Sequence, residues 1–122
     1  MPEAGPNKEG TRYLNEQGQV AALISPDYGA GWSTWNSDLP GEELLFDPGL
    51  VELVLKNTPH KQLQAYAETR WSKWHAKGEL YCGGLSKIQV VWMTPGQVFR
   101  VKEYDGNESI KYLPSENDVF RA

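Results

Sequence analysis

The sequence predicts an α+β fold, in which a small antiparallel sheet of about four strands packs with two helices. Three observations predict it. In the middle third, apolar residues recur every three or four positions behind two proline-marked starts, the period of a helix with one buried face. In the last third, apolar and polar residues alternate on either side of an Asp-Gly pair, the pattern of a hairpin. The chain has 122 residues and 39% hydrophobic content, which suits one domain with one core.

Taken in order, residues 1–10 carry Pro, Gly, Glu, Lys and Asn with almost nothing to bury. Residues 1–17 are therefore expected as a flexible N-terminal arm, and residues 18–122 as a single α+β domain. Residues 19–25 (QVAALIS) form a short apolar run that ends at Pro26, the length of a buried strand. Residues 26–41 read as a long loop punctuated by Gly29, Gly31, Pro40 and Gly41. Asp47 is placed to cap a first helix with Pro48 at its first position. Thr58 is placed to cap a second, with Pro59 next. Leu63, Tyr66, Ala67, Arg70, Trp71 and Trp74 would make one stripe along that helix, and Gly78 would stop it.

Residues 88–93 and 98–104 read as strands around a Thr94-Pro95-Gly96 turn, and residues 108–113 return from Asp105-Gly106. A two-residue turn sets Phe99 opposite Tyr112, Arg100 opposite Lys111, Val101 opposite Ile110 and Lys102 opposite Ser109. Phe99, Val101, Ile110 and Tyr112 then form the core face, and Arg100, Lys102, Tyr104 and Lys111 the other. Arg100 against Lys111 asks for a counterion, and a phosphate fits the arginine fork. The same register sets Glu103 against Glu108, which counts against it. Residues 114–118 read as a closing loop.

Charge and composition remove several function classes. A formal charge of −4 does not suit broad affinity for polymeric nucleic acid, although a local basic cleft is compatible with it. No apolar run reaches the length of a membrane span, and the N-terminus lacks the apolar segment of a signal peptide, so a cytoplasmic location is expected. Cys82 is the only cysteine, which rules out an intrachain disulfide.

Catalytic patterns are missing as well. His60 and His75 lie fifteen residues apart, not at the spacing of helical metal ligands. Gly29-Ala30-Gly31 is neither a P-loop nor a dinucleotide fingerprint, because the lysine and the later glycine are absent. Cys82 reads as a small buried hydrophobe. Asp27, Asp38, Glu42, Glu43 and Asp47 gather in or after the long loop and read as solvated, with a glycosidase pair left open. The expectation is a binding protein without catalytic residues, cofactor or metal. A small hydrolase and a protein-interaction module are the alternatives.

Residues 25–36 (SPDYGAGWSTWN) differ in kind from the rest. Glycines permit close backbone approach, Ser33, Thr34 and Asn36 offer polar partners, and Tyr28, Trp32 and Trp35 offer flat faces. Together these suit a polar, ring-bearing small molecule. A structural plug of indoles is the competing reading.

Three segments also carry a family likeness: the strand followed by SPDYGAGWSTWN, the run LLFDP, and VFRVKEYDGNESI. Over about residues 18–113 the chain resembles the first Thoeris anti-defence family of phage proteins. The resemblance implies a sponge that sequesters cyclic ADP-ribose-type signals, such as glycocyclic ADP-ribose, without cleaving them, and so blocks Thoeris immunity in the host cytoplasm. It also implies a homodimer or a hexamer built as a trimer of dimers, with cyclic oligonucleotides as a second ligand class. On the combined reading the ligand residues are Tyr28, Gly31, Trp32, Trp35, Asn36, Phe99, Arg100, Lys102, Lys111 and Arg121. Arg100 is the first choice for phosphate. Which tryptophan stacks on adenine is left open, as is whether the site lies within one chain or across two.

Overall fold

A computed structural model describes residues 4–27, 29–113 and 120–122. The α+β class holds, but the strands divide into two antiparallel sheets. The first runs in the order β1 (Gly5–Pro6), β2 (Tyr13–Leu14), β3 (Val20–Ile24), β4 (Gln89–Met93). The second runs β6 (Asn107–Tyr112), β5 (Val98–Tyr104), β7 (Phe120–Arg121). The Thr94-Pro95-Gly96 turn therefore does not close a hairpin; it carries the chain from one sheet to the other. Gly96 donates its N–H to the Ala122 carbonyl (2.8 Å), which starts the second sheet at β7.

The stretch expected as an arm supplies β1 and β2, and Leu14 pairs with Val20. Arg12 ties this segment down. Its guanidinium lies 3.7 Å from the Phe46 ring centroid, pairs with Glu42 (2.6 Å) and donates to the Arg121 carbonyl (2.9 Å).

β3 is buried along its whole length, which is why it reads as a continuous apolar run rather than an alternating one. Its two faces feed two cores. Ala21 and Leu23 pack with Trp32, Leu44, Leu50, Leu63, Ala67 and Trp71 on the helical side. Val20 and Ala22 pack with Leu45, Phe46, Met93 and Phe99 toward the second sheet.

Four α-helical segments are found among the described residues, where two were expected. The unexpected α1 (Gly41–Phe46) starts behind Pro40 without a side-chain cap, and Glu42 and Glu43 in its first turn suit the helix dipole. It cannot pass Asp47, because the residue before a proline is held extended (φ −51°, ψ 114°). That same Asp47 caps α2 (Pro48–Leu55), accepting from the Leu50 N–H at 2.9 Å as the sequence predicts.

Thr58 is not a cap. Asn57 takes φ 56°, and the Thr58 N–H donates to the Leu53 carbonyl, so this pair closes α2 in a Schellman motif. The next helix, α3 (His60–Arg70), begins behind an extended Pro59. The expected single helix breaks at Trp71 (φ −113°, ψ 43°), and α4 (Ser72–Ala76) follows. The break lets Trp71 bury completely, edge-on to Trp32 at 5.8 Å. Gly78, at φ 71°, ends α4 as expected.

The β5–β6 register agrees with the sequence reading at every predicted pair, including Glu103 opposite Glu108. Asp105 and Gly106 both have positive φ (53° and 82°), the signature of a type I′ turn. One face assignment fails. Phe99 is buried and Val101 and Ile110 are half-buried, but Tyr112 is 52% exposed because neither core extends to the end of β6.

Candidate functional site

The long loop and the hairpin tip meet within one chain. Gly29 donates to the Asp105 carbonyl (3.1 Å), and Glu108 donates its N–H to the Ser25 carbonyl (2.8 Å). Behind the loop lies a 3₁₀ turn, Gly83–Lys87. A Cβ on Gly84 would run into the main chain of Gly31 and Trp32, so only glycine allows the two segments to touch.

Most of the loop's chemistry points inward. Trp32 is wholly buried and donates its indole N–H to the Leu44 carbonyl (2.7 Å). The Asn36 amide donates to the carbonyls of Trp32 and Tyr81 and accepts from the Tyr81 N–H (2.7 Å). Gly31 is buried, and Phe99 has no exposed surface and packs against Phe46 and Phe120. Gly31, Trp32 and Phe99 thus hold the core together and have no face to offer a ligand, while Asn36, 2% exposed, has its amide engaged in these bonds. Tyr28 lies outside the described residues.

Trp35 is the exception. It is 40% exposed, lies beside Tyr81 (5.5 Å between centroids, 31° between planes) and donates its indole N–H to Glu103 at 3.1 Å. The Gly106 N–H also donates to Glu103 (2.7 Å), and these two bonds hold its carboxyl below the usual range.

A cleft of about 310 Å³ opens beside this loop. Its polar lining is Ser33, Thr34, Asn36, Ser37 and Arg100; Leu39, Val101 and Phe120 supply apolar walls. The expected phosphate ligand thus shares one concavity with the hydroxyls of the expected loop. The 3₁₀ turn Ser33–Trp35 forms one side and β5 the other. Lys102 and Lys111 are exposed, and the pairing places them on the same sheet face as Arg100. Arg121 is exposed, pairs with Val98 and falls on that face too.

Two residues that anchor this loop were not expected. Glu108 is 1% exposed and accepts four hydrogen bonds from the loop, while Glu103 anchors Trp35. The signal was present in the register. Two carboxylates set face to face are tolerable only if donors reach both, and the loop's amides and indole are those donors.

A second cleft, about 240 Å³, lies between the β1–β2 segment and the helices, lined by Arg12, Glu42, Glu43, Asp47 and Arg70 among others. Arg70 pairs with Glu43 (2.9 Å) and Asp47 (3.1 Å) and Arg12 with Glu42, so three of the five carboxylates that left a glycosidase pair open are engaged with arginines. Burial and a hydrogen bond to Asp47 push the Tyr66 phenol well above its ordinary value, so it stays protonated as a donor. Cys82 is half-buried, and burial together with the nearby Glu68 charge pushes its thiol up to about 11. His60 faces the Cys82 carbonyl (3.2 Å). Among the described residues no His, Cys, Asp and Glu gather in a metal-ligating group, and no helix is long and apolar enough to cross a membrane.

No family model, curated protein or solved structure matches the chain.

Proposed function

We propose that the protein is a binding module that sequesters a phosphorylated cyclic nucleotide of the cyclic ADP-ribose type, without cleaving it, in the cleft beside Arg100. One observation carries this reading. The lining of the cleft joins an arginine, two serines and an apolar wall, with the exposed Trp35 in the adjoining turn. Arginine matches phosphate oxygens, hydroxyls match ribose, and an indole face matches adenine. The family likeness of residues 18–113 points to the same ligand class and to action in the host cytoplasm.

A volume of about 310 Å³ lies at the small end of ligand sites, which begin at roughly 300 Å³. A dinucleotide-sized ligand would project from it. A second copy of the chain closing over the projecting part accords with a homodimer or a trimer of dimers. A sponge acts by stoichiometry, so holding its ligand below micromolar requires more than about 8 kcal/mol. A preorganised wall reduces the ordering cost that must be met.

The test is to load the protein with cyclic ADP-ribose isomers, denature it and identify what is released. Intact ligand is expected; linear ADP-ribose would instead establish a hydrolase. Arg100→Ala should weaken binding about tenfold to a hundredfold, the loss of a charge-assisted pair. Unchanged affinity would remove Arg100 from the site.

A further inference from the structure

Glu108 lies on β6, just past the hairpin turn, and its side chain enters the concave side of the loop. One oxygen, Oε1, accepts the Ser25 N–H at 2.9 Å. The other, Oε2, accepts the Trp32 N–H (2.7 Å), the Thr34 N–H (3.1 Å) and the Thr34 hydroxyl (2.5 Å). All four partners are donors. Only an acceptor-only group satisfies them, since a glutamine would turn its NH₂ against at least one. Among the described residues no lysine or arginine pairs with this carboxylate. Its compensation comes from backbone amides and a hydroxyl, the arrangement of an anion nest. Gly31 is part of the fit, because a Cβ there would come within 3.0 Å of Oε2.

The glycine-rich loop therefore does cradle an anion, and the chain itself provides it. Ser33 and Thr34, the residues between and at these amides, also line the Arg100 cleft. We infer that Glu108 is a positioning residue: its carboxylate sets the loop wall at a fixed distance from Arg100 and so presets the cleft for its ligand. The inference takes from the proposed function that this cleft is the binding site.

The experiment compares the full-length wild type with Glu108→Ala, Glu108→Gln and Thr34→Val. Amide hydrogen exchange is followed without ligand, and calorimetry is run with cyclic ADP-ribose isomers. In Glu108→Ala, protection at Trp32 and Thr34 should fall at least about tenfold further than it falls at the β3 amides. Affinity should fall about tenfold or more, with the salt dependence that Arg100 confers unchanged. Sodium formate, against chloride at equal ionic strength, should refill the nest and restore both readouts in Glu108→Ala alone. A residue that only stabilised the fold would show no such rescue. Glu108→Gln should lose protection and affinity in the same direction and gain nothing from formate, because its side chain still fills the nest. Thr34→Val, which removes the hydroxyl bond to Glu108 and one polar group of the cleft lining, should both bind severalfold more weakly and lose protection at Trp32, and the exchange readout serves if Glu108→Ala fails to fold.

Equal affinity in wild type and Thr34→Val, or absence of formate rescue in a folded Glu108→Ala, would overturn the inference. If the wild type binds no cyclic ADP-ribose isomer, the proposed ligand is wrong. The exchange and formate arms then still decide whether Glu108 holds the wall.

Discussion

Two nearly buried carboxylates organise this protein by opposite means. Glu108 (1% exposed) is held by three backbone N–H groups and a hydroxyl, all from residues 25–34. Asp47 (7% exposed) is held by one backbone N–H, the Tyr66 phenol and the Arg70 guanidinium. The first joins a hairpin to a loop more than seventy residues earlier; the second joins three helices that follow one another. Neutral donors give Glu108 an attachment that salt does not screen. The half-exposed Arg70 gives Asp47 one that salt does screen. The two regions should therefore respond differently to mutation, salt and pH.

The largest contrast is expected in stability. Glu108→Ala leaves four donors without an acceptor and should cost about 4 kcal/mol in denaturant unfolding. Asp47→Ala removes a cap and two side-chain bonds and should cost about 2–3 kcal/mol. The reverse order would break the comparison. Next, Arg70→Ala should cost about 1 kcal/mol at low salt and less at high salt, since its pairs are partly exposed. Glu108→Ala should cost the same at both salt concentrations.

A smaller effect distinguishes Glu103, whose folded carboxyl lies below its ordinary value. A group depressed in the folded state contributes stability above its unfolded value and loses it as pH falls through the folded one. The Trp35 tether should thus hold through the ordinary carboxylate range and release only in stronger acid. Tryptophan emission during an acid titration reads this directly, and Glu103→Gln should abolish that transition. The smallest effect concerns Cys82. With its thiol pushed up to about 11, alkylation at neutral pH should be far slower than for an exposed cysteine, and speed up only on unfolding.

The same contrast explains what could be read from the sequence. Asp47 was legible because its backbone partner, Leu50, lies three residues away and Pro48 marks the helix start. The hairpin was legible for a like reason: Asp105-Gly106 demands a two-residue turn, and the turn dictates every pair out to Phe99 and Tyr112. The pairing of Glu108 with Glu103 showed that donors were needed, but not which ones, because the partners of Glu108 are distant in sequence. Trp32 and Asn36 have the residue types of a ligand site, yet they bury because the Gly84 backbone draws the loop against the core. The division into two sheets was hidden too. A Thr-Pro-Gly turn looks alike whether the chain doubles back or crosses over, and the pairing of β4 with β3 and of β5 with β6 and β7 distinguishes the cases. The break at Trp71 lies inside an unbroken helical period, and tertiary packing of two indoles decides it.

β3 and its partner β4 both send side chains into both cores, Ala21 and Leu23 with Val90 and Trp92 one way and Val20 and Ala22 with Val91 and Met93 the other. Separating this strand pair would open both cores at once. The pair thus makes the domain a single cooperative unit, for which calorimetric and van't Hoff enthalpies of unfolding should coincide.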